Sequence, residues 1–383
     1  MFPKRWLVVG LDSATPTFLS SEDHPFLRQI WDGGISGVLR STTPPLTPIA
    51  WTTIMSGRSP SEHGVYGFRK GDGAIFSSAD VTVPRLWELV RPSHSLFFPL
   101  VYPVRKFSRD DGFVAATAVV RKGEGMVRCV SDGRMARFIV EHSIPSSPGD
   151  IEALFKSFMH RLRAWAKILR DDSFPWRFSA VMLPELDTVM HFHWESQARL
   201  FKALDAALAN IWEENNDGDM GIVLVSDHGS TRVAFDFDPV TWARENLTPR
   251  EFSKIKIDGW GNLWCRDVGL CLKIERGLES FEYEGQRILD VWRGEQIFSG
   301  VNGAPDLVVW PARELGFSQQ PNSGRVIAPA TKSGCHLFDG VVAFWWPGVE
   351  SRRIMGEAVD FAPTMMHLLG KNIPGVMSGR VLV

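Results

Sequence analysis

The chain has 383 residues, 44% of them hydrophobic and 22% charged, which supports a sizeable buried core and excludes a disordered, collagenous or coiled-coil protein. Its 42 basic and 44 acidic side chains leave a formal net charge of −2, so no long-range field draws it to a nucleic-acid polymer or an anionic membrane surface. Four cysteines are too few and too scattered for a disulfide framework, and no apolar run approaches the roughly 18 to 20 residues that span a bilayer.

Residues 6–10 (WLVVG) read as a buried strand that ends just before Asp12. The run is too short for a secretory signal, so the expected location is the cytoplasm, with no membrane partner. In 41–51 (STTPPLTPIAW), Pro44 and Pro45 disfavour helix ahead of Thr47, while Pro48 suits the first turn of a helix running to Met55. Thr47 is therefore expected at the N-cap. The stretch 73–149 is proline-rich and weakly periodic and reads as an insertion. A helix is expected over 150–169 and a strand over 178–183, followed by Asp187 and His191, whose spacing places them on one side of a helical turn. The clearest helix is 197–212, where Leu200, Leu204, Ala207, Leu208 and Ile211 recur on one face. A strand at 221–225 leads into Ser226-Asp227-His228-Gly229, and 230–304 reads as a second insertion or cap. Strands at 306–310 and 340–346 follow, with His336 just before the latter and a helix at 361–369 near the C-terminus. Strands alternating with helices predict one α/β domain over 1–383, with a mostly parallel central sheet and helices on both faces.

Three carboxylates (Asp12, Asp187, Asp227) and three imidazoles (His191, His228, His336) fall beside predicted strand ends, where open α/β sheets collect their ligands. Singly, each has an ordinary role as a helix cap or surface ion pair. Together they form a donor set suited to zinc or a similar divalent ion. The Thr47 hydroxyl is a poor nucleophile at neutral pH unless its proton is removed or a metal stabilises the alkoxide. Trp260, Trp264, Trp345 and Trp346 are candidates for stacking on a flat ligand group.

The succession Gly10-Leu11-Asp12, Thr47-Pro48-Ile49-Ala50-Trp51, Gly57-Arg58-Ser59-Pro60-Ser61-Glu62-His63-Gly64, Asp187-x-x-x-His191, Ser226-Asp227-His228-Gly229, Gly334-Cys335-His336 and Asp360-Phe361-Ala362-Pro363-Thr364 resembles the type I phosphodiesterase/nucleotide pyrophosphatase family of the alkaline phosphatase superfamily. The resemblance implies an alkaline-phosphatase-like fold and two Zn2+ ions, with Mn2+ or another divalent ion as substitutes. It assigns Asp187, His191 and His336 to one ion, and Asp12, Thr47, Asp227 and His228 to the other. It further implies hydrolysis of phosphodiester or pyrophosphate bonds in a small-molecule phosphate ester or anhydride, through a phosphothreonine on Thr47. His63 matches the family's Pro-x-x-His-Gly turn and is expected to orient the helix that carries Thr47. Animal nucleotide pyrophosphatases carry an asparagine where this chain has Phe68, so Phe68, Arg69 and Lys70 are the substrate-contact candidates. Cys335 replaces the threonine usual beside the late histidine. Alternative readings keep the site but make the protein a phosphonate hydrolase, a phosphomonoesterase or a phosphoryl transferase, or keep only the fold, as a catalytically inactive binding protein.

Overall fold

An eight-stranded sheet organises the computed structural model, which describes residues 2–116, 129–135, 139, 148–312, 315–318 and 324–383. Its strands are β1 (Arg5–Leu11), β2 (Ile35–Arg40), β3 (Ser93–Leu96), β4 (Gly112–Ala115), β5 (Phe178–Leu183), β6 (Met220–Val225), β7 (Asp339–Trp345) and β8 (Arg352–Glu357). They lie in the order β8-β2-β7-β6-β1-β5-β3-β4. β7 runs antiparallel to both its neighbours, and every other pairing is parallel. The sheet is thus mostly parallel, as its sequence pattern predicts.

The strand β1 reads as a continuous apolar run because both of its faces are covered. Trp6 and Val8 pack on one side with Trp51, Ile54 and Phe361 from the helices Thr47–Ser56 and Phe361–Leu368. Leu7, Val9 and Leu11 turn to the other side, towards the helices Ile151–Leu169 and Gln197–Asn215. Gly10 lets the first of these layers close: a Cβ there would stand 2.7 Å from Cη2 of Trp51. The Thr47–Ser56 helix stops at Gly57, which takes φ 65° and donates its N–H to the Thr53 carbonyl.

The two stretches expected as insertions behave differently. Phe237, Trp242 and Ile274 from 230–304 pack with Val308, beyond it, in a core of their own that forms a cap layer. Its four-stranded antiparallel sheet runs Leu289–Arg293, Leu307–Pro311, Asn262–Cys265, Ile255–Ile257 in spatial order. The strand expected at 306–310 therefore belongs to this cap and not to the central sheet; a short apolar run reports burial, not which sheet buries it. The stretch 73–149 instead contributes β3 and β4 to the edge of the central sheet. β3 is the sequence SHSL, whose polar residues hide it from a hydrophobicity reading, yet Ser93, His94 and Ser95 are all buried. His94 is satisfied there by the Ser179 hydroxyl and the Phe174 carbonyl. The remainder of that expected insertion, at 117–128, 136–138 and 140–147, lies outside the described residues. Among the described residues, no helix is long and apolar enough to cross a membrane.

Candidate metal centre and active site

The parallel strands β1, β5 and β6 deliver their following residues to one edge of the sheet. Asp12 leaves β1 directly, Asp187 and His191 sit on the helix Glu185–Phe192 after β5, and Asp227 and His228 leave β6. The antiparallel β7 enters from the same edge. His336 precedes it on a short strand, Gly334–Leu337, that pairs with Gly229–Arg232. This two-stranded ribbon joins the exit of β6 to the entry of β7 and stacks the rings of His228 and His336, with centroids 3.8 Å apart.

All six predicted ligands come together, as two triads: Asp187, His191 and His336, and Asp12, Asp227 and His228. Within each triad the ligand atoms lie within 4.8 Å of one another. In the first, the two Nε2 atoms are 2.9 Å apart, and each is 3.3 Å from Oδ1 of Asp187. In the second, Nε2 of His228 is 3.3 Å from Asp227 and 3.7 Å from Asp12.

The tautomers follow from the partners. Nδ1 of His191 meets the Gly334 carbonyl at 2.7 Å, that of His336 the Pro45 carbonyl at 2.8 Å, and that of His228 the Gly229 carbonyl at 3.1 Å. A carbonyl oxygen only accepts, so each Nδ1 carries a proton, and in the neutral form of each ring the lone pair is on Nε2, which faces inward. Oδ1 of Asp12 and Oδ2 of Asp227 are buried without any hydrogen-bond partner. Converging lone pairs and orphaned carboxylate oxygens fit a divalent cation at each triad.

The electrostatics of these six side chains express the same deficit. Burial, with the charges of Asp227 and Asp187 added, raises the Asp12 carboxyl well above its ordinary range, and burial raises Asp227 to about 7. Burial also lowers His191 to about 4 and holds His228 well below its usual value. For Asp187 burial pulls upward, but its contacts with His191 and His336 outweigh it and hold the carboxyl well below its ordinary range.

Thr47 is the first residue of its helix, with Leu46 at the N-cap, so the expected cap shifts by one residue. From Pro44 to Gly57 Thr47 alone is not buried. Among the described residues its hydroxyl meets only Nε2 of His228, at 3.5 Å. Leu46 and Ile49, around it, are anchored in the cap's core. His63 is fully buried: Val65 N–H donates to its Nδ1, so its Nε2–H donates to Oγ1 of Thr53, on the same helix as Thr47 and further along it. Burial lowers this imidazole to about 3 and keeps it neutral.

Ser13 escaped the sequence reading. Its backbone takes φ 70°, which is uncommon outside glycine. Its hydroxyl donates to Asp187 Oδ1 at 2.5 Å while its carbonyl accepts from Ser230, so one residue after Asp12 braces the other triad. Only its position beside Asp12 hinted at this.

The structure separates the substrate-contact candidates. Arg69 donates to the Gly73 carbonyl and Lys70 pairs with Asp80, so each basic group is held by its own loop. Phe68 does lie near the site, with its ring 5.1 Å from that of Trp260, which in turn faces His336. Of the four tryptophans considered, Trp260 reaches the site. Trp264 is bonded to Gly303 in the cap, Trp345 packs on Trp212, and Trp346 packs on Trp6. A pocket lies against His191 and His336, walled by Trp260, Trp310 and Phe317, with Cys335 and Lys332 in its lining. Burial lowers the Lys332 ammonium, against the opposing charges of Asp187 and Asp236. Trp310 and Lys332 were not anticipated; Lys332 stands one helical spacing before His336, in a segment that is not a helix, and nothing in its neighbours marked it.

The sequence matches the family model of the type I phosphodiesterase/nucleotide pyrophosphatase over residues 6–301. No curated protein matches the sequence. Among solved structures, the chain is similar to an inactive form of murine ectonucleotide pyrophosphatase/phosphodiesterase 5 in complex with AMP, with a TM-score of 0.65 at 13% identity, covering 99% of this chain and all of that one. The human counterpart aligns with a TM-score of 0.62 at 12% identity, covering 97% of this chain and 96% of that one.

Proposed function

The chain belongs to the type I phosphodiesterase/nucleotide pyrophosphatase family, a family of phosphoric ester hydrolases, and we propose from that premise that it cleaves phosphodiester or pyrophosphate bonds by way of a phosphothreonine on Thr47. One observation carries the proposal: a single half-buried hydroxyl in an otherwise buried run stands beside two triads of converging imidazole nitrogens and carboxylates, with orphaned carboxylate oxygens on Asp12 and Asp227. When bound, two zinc ions or similar divalent cations would acidify the threonine hydroxyl and offset the charge that develops on the phosphoryl oxygens.

The protein's own residues supply position. Asp187, His191 and His336 would hold one cation, and Asp12, Asp227 and His228 the other, with the carbonyls of Gly334, Pro45 and Gly229 fixing the three imidazoles. The contact of His63 with Thr53 ties the following turn to the helix that presents Thr47. Thr47 Oγ1 forms a bond to phosphorus as the bond to the leaving oxygen breaks, and its proton passes to solvent. Water then attacks the same phosphorus, the threonine oxygen leaves, and it recovers a proton. The complex of a structural neighbour with AMP supports a small-molecule phosphoester or phosphoanhydride as substrate.

The test is hydrolysis of bis-p-nitrophenyl phosphate, p-nitrophenyl phosphate and phosphonoacetate by the metal-loaded protein. The proposal expects the diester to be turned over fastest. A preference for the monoester or the phosphonate would move the reaction to one of the alternatives, and turnover equal to that of Thr47→Ala on every compound would leave a binding protein.

A further inference from the structure

Lys332 differs from the other cations around the site. Its Nζ lies 5.2 Å from the ring centre of Trp260 and 5.5 Å from that of Phe192, on the residue after the ligand His191. No carboxylate among the described residues comes within ion-pairing distance of it. The two that approach are already engaged: Asp236 accepts from the backbone and hydroxyl of Thr331, and Asp187 accepts from Ser13. Aromatic faces hold a cation without using its N–H groups, so three donors remain for a ligand. These donors border the pocket that adjoins His191 and His336; Asp236, tied to Thr331, and Cys335 also line it, while Trp310, Leu315 and Phe317 form its apolar walls.

The position relative to Thr47 sets which part of a substrate could meet them. Thr47 stands beside His228, in the other triad. In-line displacement sends the leaving oxygen away from the attacking hydroxyl, towards the side of His191 and His336. We infer that Lys332 is a specificity-determining residue that binds an anionic oxygen group on the leaving portion of the substrate, seated among Trp260, Trp310 and Phe317. This deepens the hydrolase reading and rests on it. It names the preferred substrates as phosphoesters or anhydrides whose leaving group carries its own negative charge, a phosphate or a carboxylate. A charge-assisted hydrogen bond in a partly desolvated pocket is worth about ten- to a hundredfold in affinity.

The experiment compares kcat/KM of the zinc-loaded protein for three probes. Methyl 4-nitrophenyl phosphate has an uncharged substituent on its leaving group, methyl 3-carboxy-4-nitrophenyl phosphate adds a carboxylate, and monomethyl diphosphate releases inorganic phosphate. The ratio of each anionic probe to the first is then measured in Lys332→Met and Lys332→Arg. A fall of about tenfold or more in Lys332→Met, largely restored in Lys332→Arg, supports the inference, and the probe that shows it identifies phosphate or carboxylate as the group bound. Ratios unchanged in Lys332→Met for both anionic probes overturn the inference while leaving the hydrolase reading in place. No turnover of any probe by the wild-type protein would overturn both. If Lys332→Met does not fold, Lys332→Gln serves in its place.

Discussion

Nε2 of His191 and Nε2 of His336 face each other at 2.9 Å, while Nδ1 of each ring is committed to a backbone carbonyl. Two inward lone pairs at that separation repel unless a cation lies between them and Asp187. Removing divalent ions should therefore lower the melting temperature, and adding zinc should raise it. At a hundred times its dissociation constant, one bound ion contributes about 2.7 kcal/mol. Calorimetric scans of chelated and zinc-loaded protein that coincide would contradict the assignment.

Asp227 is fully buried, and its oxygen without a hydrogen-bond partner, Oδ2, lies 3.3 Å from Nε2 of His228. Asp227→Ala removes the negative charge that offsets a cation in its triad. Metal content, counted by plasma mass spectrometry, should fall from two ions per chain towards one, and turnover should be lost with it. Full occupancy in the variant would show that Asp227 is no ligand.

Thr47→Ala removes a hydroxyl that caps nothing, so folding stability should stay within about 0.5 kcal/mol of wild type. Turnover of the diester should drop by about ten-thousandfold or more, as expected when a nucleophile is deleted. Covalent label from a radioactive substrate, trapped by acid quench, should appear on the wild-type chain and be missing from the variant.

His63 is held near pKa 3 by burial, against an ordinary value of 6.5. The unfolded chain thus binds a proton that the folded one refuses, and the associated stability is full above pH 6.5 and declines as pH falls towards 3. Within that window the slope is about 1.4 kcal/mol per pH unit for this one group. Urea unfolding at pH 7, 5.5 and 4.5 should show a shallower decline in His63→Gln, whose amide can still meet Thr53. Parallel curves for the two proteins would count against the burial argument.

Gly10→Ala places a methyl 2.7 Å from Trp51, on the helix that begins with Thr47. Overpacking of this kind costs about 1 to 3 kcal/mol. Because the clash pushes on the nucleophile's own helix, kcat should fall along with the melting temperature. Unchanged stability would mean that the Trp51 ring can move aside freely.

The ligands were legible because each follows or precedes a strand whose apolar run is unmistakable, and because Asp, His and Thr carry their chemistry in their identity. β1, β5 and β6 could be read for the same reason: a strand covered on both faces must be apolar at every position. β3 could not, since Ser93 and His94 are made tolerable there by Ser179 and the Phe174 carbonyl, partners far away in the chain. Arg69 and Lys70 drew notice by sitting a fixed distance after Thr47, but local acceptors hold them. Lys332 and Ser13 were invisible for the converse reason. The value of one lies in the rings of Trp260 and Phe192, and that of the other in a left-handed backbone that turns its hydroxyl onto Asp187. Such properties belong to three-dimensional neighbours and leave no trace in spacing.

The ribbon of Gly229–Arg232 against Gly334–Leu337 is the stem from which the cap layer departs and to which it returns. Its entrance and exit stand side by side, clamped by the hydrogen bonds of that pairing, with His228 just before one strand and His336 within the other. Evolution can therefore lengthen, shorten or replace what hangs from the stem without altering the distance between the two imidazoles. On the proposed reading, chemistry and selectivity sit on separate stretches of one chain, and a transplanted cap should change which esters are hydrolysed.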